Sequence, residues 1–155
     1  MTLGQVFPPG LAAASIRRQL RPGAVIKLRR VMDDGKIHEK RFVIVHVDER
    51  TVTCVINSVI SAFLQARPAM LRCQVAMPAV AHPFMEHDSH VDCSRTHAYA
   101  TTDVVRDLVK EPGSVLGVIA AGLRDEMLAA LKFSPALSAH EVQLLCASLG
   151  RSASE

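Results

Sequence analysis

Two apolar runs, His38–Val47 and Thr51–Asn57, are separated only by Asp48-Glu49-Arg50. Both are rich in Val, Ile, Thr and Phe, so both read as strands, tightly joined. Within the first, Val43, Ile44 and Val45 are consecutive. Successive strand residues point to opposite faces, so such a strand is apolar on both sides. It must be central, and something else in the chain must cover it. No other feature restricts the fold as much.

The flanking segments fit around this pair. Residues 11–21, LAAASIRRQLR, read as a short helix closed by the turn signal Pro22-Gly23. Ala24–Val31 follows as a strand with a basic end, and Asp33-Asp34-Gly35 forms a hairpin-type turn. Ser61–Ala66 reads as a short helix or loop ended by Pro68, Met70–Met77 as a strand closed by Pro78, and His90–Cys93 as one more strand in an irregular polar region. After Thr102, taken as an N-cap, the period changes. Val104, Val105 and Leu108 suit a helix ending near Pro112-Gly113. Leu116, Ile119, Leu123, Met127 and Leu131 recur at helical spacing, with a break expected at Gly122. Ser138 with Glu141 forms a capping box for a last helix with Gly150 as its stop.

Four or five short strands followed by helices imply α+β. Their closeness favours a small barrel-like sheet. The expected organisation is a single domain over 1–155: an N-terminal helical extension (1–21), a curved sheet or barrel (22–100), C-terminal helices (101–150) and a disordered tail (151–155). Hydrophobic residues make up 49% of the chain and charged residues 21%, which excludes a largely disordered chain. The longest apolar stretch, Val115–Leu123, is too short to span a membrane. The opening MTLGQVFPPG lacks a signal-peptide pattern. With four cysteines and no CxxC pair, the expectation is a cytoplasmic protein with reduced thiols.

Charge is uneven. Residues 1–50 hold ten Lys/Arg against five Asp/Glu, and residues 51–155 hold eight against ten. A basic first half suggests either a solvated face or a surface that tracks phosphates. Lys27, Arg29, Arg30 and Lys40, with Arg95 further on, are the candidate nucleic-acid contacts. Arg41 opens the apolar strand, and a guanidinium there can grip a phosphate bidentately and stabilise charge developing on it. There is no tryptophan and one tyrosine, Tyr99, so stacking platforms for bases are few.

Four of the seven histidines lie between His82 and His97. His87, His90, Cys93 and His97 could converge on zinc in principle, but no standard ligand spacing is present, and no metal or other cofactor is expected. On a strand, His90 and Asp92 share one face, and Ser89, Val91 and Cys93 the other. His87 or His90 could serve as an acid or base. A Cys93–histidine nucleophilic pair is conceivable, although cysteines are more often simply buried.

Four stretches together resemble the MazF/PemK family of toxin ribonucleases from bacterial toxin–antitoxin systems. PGAVIKL resembles the family's opening glycine and strand, RFVIVHVD its RPxxVxx strand, and TVTCVINS the strand after it. HDSHVDCSRTH, with LGVIAAGLRDEMLAAL, resembles its Asp-Ser strand, Arg-Thr segment and closing helix. The resemblance covers roughly residues 22–133. It implies an SH3-like barrel, a homodimer, metal-independent cleavage of single-stranded RNA, and a partner antitoxin whose peptide occupies the RNA groove. The family's arginine maps onto Arg41. Its hydroxyl-bearing threonine maps onto Asn57, with Ser58 adjacent. The implied catalytic set is Arg41, Asn57 or Ser58, and His87, His90 or Ser89. Asn57 cannot replace a hydroxyl in proton transfer, and the helix at 138–149 lies beyond the family's usual length. The alternative is a non-catalytic SH3-like binding module or adaptor for protein or nucleic acid, in a bacterial or phage defence context.

Overall fold

The structure, a computed structural model, describes residues 9–151. The first eight residues of the expected N-terminal extension lie outside that range. So does the expected tail, except Arg151, which ends the last helix. The elements run α1 (Pro9–Gln19), β1 (Ala24–Val31), β2 (Ile37–Val47), β3 (Arg50–Asn57), α2 (Ala62–Gln65), α3 (Pro68–Leu71), β4 (Gln74–Met77), β5 (Ser89–Asp92), β6 (His97–Ala100), α4 (Thr101–Lys110), β7 (Val115–Val118), α5 (Ala121–Leu131) and α6 (Ala139–Arg151).

The seven strands form one antiparallel sheet in the order β4-β5-β3-β2-β1-β7, with β6 also paired to β3. The architecture is α+β with a curled sheet. Turn chemistry fixes the central hairpins. Asp34 Oδ1 accepts the Lys36 N–H at 2.9 Å, and Gly35 takes φ 77°. Asp48 Oδ1 accepts the Arg50 N–H at 2.9 Å. Both are Asx-type turns that set strand register. In that register Val25 faces Val43, Lys27 faces Arg41 and Arg41 faces Ile56. A register shift between Ile44 and His46 bends β2. One end of β3 then pairs with β5 (Asn57 with His90), while the other pairs with β6 (Thr53 with His97).

As the run Val43–Val45 requires, both faces of β2 are buried. On one face Val25, Val43, Val45, Cys54, Ile56 and Val91 pack against Leu123, Met127 and Leu131 of α5 and Leu145 and Leu149 of α6. On the other, Ile26, Leu28, Phe42, Ile44 and Val55 pack against Ile16 and Leu20 near α1 and Val104, Val105 and Leu108 of α4. Each fully buried aliphatic side chain contributes on the order of 1.5–3 kcal/mol.

The helix beyond the family-like region is part of this core. It lies on β2 and α5, and His46 Nδ1 is 2.9 Å from Ser148 Oγ. Its capping box is formed: Ser138 Oγ accepts the Glu141 N–H at 3.1 Å, and Glu141 Oε1 accepts the Ser138 N–H at 3.3 Å. Ser138→Ala should therefore cost about 1 kcal/mol in a urea titration.

Several expectations are corrected. Residues 68–71 are helical, with Pro68 at the first position, so only Gln74–Met77 of the expected Met70–Met77 strand is extended. Thr102 is not an N-cap. The helix begins at Thr101, whose hydroxyl donates to the Asp48 carbonyl at 2.8 Å and meets Thr51 Oγ1 at 3.0 Å, tying α4 to the β2–β3 turn. Residues 115–118 form a strand paired with β1, not the start of a helix. A strand thus follows a helix, and elements are less segregated than expected. Strand β6 was not anticipated, and the last helix passes through Gly150 to Arg151.

Candidate functional site

Lys40 and Arg41 are neighbours on a strand, so they project from opposite faces of the sheet. Arg41 lines one cavity, and Lys40 lines a second, larger one while also bordering the first, as Ser58 does.

Arg41 lies in a groove of about 270 Å³ with Lys27, Lys40, Ser58, Met85, His87 and Ser89 and two carboxylates, Glu86 and Glu39, the latter 3.9 Å from Lys27 Nζ. Lys27 arrives from β1 directly opposite Arg41 in the ladder. Ser58 follows the last residue of β3, and His87 and Ser89 come from the loop entering β5. The Arg41 side chain is 22% exposed. Its Nη1 points at Met85 Sδ (3.7 Å) and its Nη2 is 3.6 Å from Oε1 of the largely exposed Glu86. A pair this open to solvent holds the guanidinium only weakly. His87 Nδ1 is 3.0 Å from the Asp88 carbonyl and 3.2 Å from Ser89 Oγ. With its proton on Nδ1 donated to that carbonyl, the ring keeps the Nε2 lone pair free.

The second cavity, about 740 Å³, is on the opposite face. Its polar lining includes the cations Lys40 and Arg95, the carboxylates Asp33, Asp34 and Asp92, and Asn57, Ser58 and His97, and Val55, Val59, Phe63 and Leu64 are among its apolar lining. Lys40 Nζ donates to Asn57 Oδ1 at 2.9 Å. Burial pushes the Lys40 ammonium below its ordinary pKa. Asp92 is buried, and its Oδ1 accepts from Gln74 Nε2 (2.8 Å) and from the backbone and hydroxyl of Ser94 (2.9 and 2.5 Å). Arg95 is held by Asp33. His97 packs edge-on against Phe42, and its pKa falls below the usual histidine value, first through burial and then through nearby Arg95.

The implied catalytic set is therefore divided. Arg41, Ser58, His87 and Ser89 share one groove. Asn57 does not reach it, because it faces the other cavity while Ile56 occupies the position opposite Arg41. His90 is directly opposite Asn57 and so also faces away from Arg41. Among the proposed phosphate contacts, Lys27 lines the Arg41 groove and Lys40 lines both cavities. Arg29 lines a third pocket beside Asp107, Lys110 and Glu111. Arg30 is engaged within the fold, paired with Asp107 at 2.9 Å and stacked on Tyr99.

The alternation expected around His90 is present, with Ser89 and Val91 on one face and Asp92 on the other. The metal candidates do not converge. His87 and His97 line different cavities, Cys93 is in the core, and among the described residues no group of three or more His, Cys, Asp or Glu side chains could hold a metal ion. Cys93 is fully buried beside Cys54. Its thiol is pushed up by that neighbour and by burial, which makes it a poor nucleophile.

The His97 shift has a consequence for stability. A histidine with a depressed folded pKa binds fewer protons in the native state than in the unfolded chain, so stability falls as pH drops through about 6.5 and levels off below the folded value. Lowering the pH from 7.5 to 5.5 should reduce the urea midpoint, and His97→Gln should reduce that dependence.

Among the described residues, no helix is long and apolar enough to cross a membrane. No protein-family model and no curated protein matches the chain.

Proposed function

We propose that the chain is a metal-independent endoribonuclease acting on single-stranded RNA, a toxin-like member of the MazF/PemK group built on an SH3-like barrel. The observation that carries this reading is that Arg41, Lys27, Ser58, His87 and Ser89, from separate parts of the chain, line one groove. Lys27 supplies backbone attraction, and Ser58 orients the scissile phosphate. His87 Nε2 takes the ribose 2′-hydroxyl proton as that oxygen attacks phosphorus. The bond to the 5′-oxygen breaks, leaving a 2′,3′-cyclic phosphate, and the departing 5′-oxygen takes a proton from solvent to become a hydroxyl. Arg41 stabilises the charge that accumulates between these events. The same reading carries a homodimer, measurable by light scattering, and an antitoxin peptide that covers the groove.

A second reading, a non-catalytic module binding protein or nucleic acid, draws on two observations: Asn57 faces away from Arg41, and the Glu86 carboxylate is beside it. End-labelled single-stranded RNA incubated with purified protein in EDTA separates the two. The enzyme yields fragments ending in cyclic phosphate. Intact RNA at every salt concentration, with or without binding, excludes the ribonuclease.

A further inference from the structure

Buried polar atoms in folded proteins almost always find partners, so clustered exceptions call for a cause. Four such atoms among the described residues are Gln74 Oε1, His90 Nδ1, Arg95 Nε and His97 Nε2. Gln74 pairs with Asp92 and His90 with Asn57 in the ladder, so their side chains share the sheet face of the larger cavity. Arg95 and His97 line that cavity directly, beside Lys40.

The donors there are held by neighbours. Asp33 holds Arg95 and Asn57 holds Lys40. Among the described residues, Lys40 forms no ion pair. Its partner is a neutral amide, leaving ammonium protons to spare. Val55, Val59, Leu64 and Phe63 add an apolar lining, with Arg67 stacked 3.5 Å from the Phe63 ring centroid. A volume of about 740 Å³ lies within the range of small-molecule sites.

We propose that this cavity binds a small organic anion of nucleotide size. A phosphate or carboxylate head accepts hydrogen bonds from Lys40, Arg95 Nε and His97 Nε2, and a flat or apolar body rests against Phe63, Val59 and Leu64. Arg95 Nε and His97 Nε2 then gain their missing acceptor, while Gln74 Oε1 and His90 Nδ1 are outside the cavity lining and gain none. Of the three carboxylates lining the cavity, Asp34 is taken by His38 and the Lys36 amide and Asp92 by Gln74 and Ser94, while Asp33 holds one terminal nitrogen of Arg95, so an incoming anion shares that guanidinium with Asp33 or displaces it. The proposal does not rest on RNA cleavage: Arg41 is not among the residues lining this cavity, although Lys40 and Ser58 border both cavities.

Isothermal titration of the full chain with AMP, UMP, their nucleosides, hexanoate and inorganic phosphate tests the proposal. Nucleotides and hexanoate separate phosphate-headed from carboxylate-headed ligands. At least one headed ligand with an organic body should bind at least tenfold more tightly than inorganic phosphate and, for a nucleotide, than its nucleoside. Lys40→Met and Phe63→Ala should each weaken that binding at least tenfold, while Arg41→Ala leaves it unchanged. Phe63 is exposed, so its variant folds even if another does not. The proposal is overturned if no organic anion surpasses inorganic phosphate, or if binding survives both Lys40→Met and Phe63→Ala.

Discussion

Arg41→Ala should lower RNA cleavage by about a hundred- to a thousandfold, the usual cost of removing one preorganised group from developing transition-state charge. The fold should tolerate the change. The guanidinium is at the rim of its groove, bound to the protein by a 3.7 Å contact with Met85 sulfur and a 3.6 Å pair with an exposed carboxylate. These polar contacts are weak, so removing a side chain that is 22% exposed should cost chiefly some packing, about 1 kcal/mol. A collapse of activity with a melting temperature only a few degrees lower, about 2–4 °C, would thus mark a chemical role. Arg41→Lys sharpens the test. It keeps the charge but loses the planar fork, so a transition-state role leaves it well below wild type, whereas a purely electrostatic role restores most of the rate. Glu86→Gln should act in the opposite direction, strengthening RNA binding by releasing Arg41 and removing a negative charge from the groove. If Arg41→Ala cleaves as fast as wild type, the groove is not the active site.

The central sheet was legible in the sequence because its signals are local. Three consecutive apolar residues in β2 required cover on both faces, and the Asp-containing turns set its pairings. The capping box at Ser138 is local too, and it formed. Other features were hidden because they depend on contacts distant in the chain. Gly117 reads as a weak helix position, but a side chain there would meet the Phe84 ring at 2.5 Å, and the backbone pairs with Val25 instead. Thr102 looks like a cap, whereas Thr101 uses its hydroxyl to reach the β2–β3 turn.

The division of the site has the same origin. The two-residue strand period sends Arg41 one way and Asn57 and His90 the other, so a shared motif does not make them one constellation. The same period sends Lys40 and Arg41 to different faces, but it does not bring Phe63 to the cavity of Asn57, because that depends on the path of the chain after β3.

His82→Ala should lower the melting temperature by about 6–12 °C, from a loss of about 3 kcal/mol in a domain of this size. Its ring is fully buried. Nδ1 donates to the Pro78 carbonyl at 2.8 Å, and Nε2 accepts the Ala120 N–H at 3.0 Å. The imidazole thus joins the loop after β4 to the start of α5. Alanine leaves a cavity, deprives the Ala120 N–H of its acceptor and leaves the Pro78 carbonyl with the Ala81 N–H alone. The damage should extend to the groove. Phe84 packs edge-on against His82 at 5.8 Å and covers Gly117, and the next residues in the chain are Met85, Glu86 and His87. Gly117→Ala pushes on the same ring from below. Both variants should therefore lose RNA cleavage at temperatures where they remain folded, while Ser138→Ala, at the far end of α6, loses stability alone. Calorimetry and the cleavage assay on the three proteins measure this. A His82→Ala protein that melts within 2 °C of wild type would show that the buried ring holds nothing together.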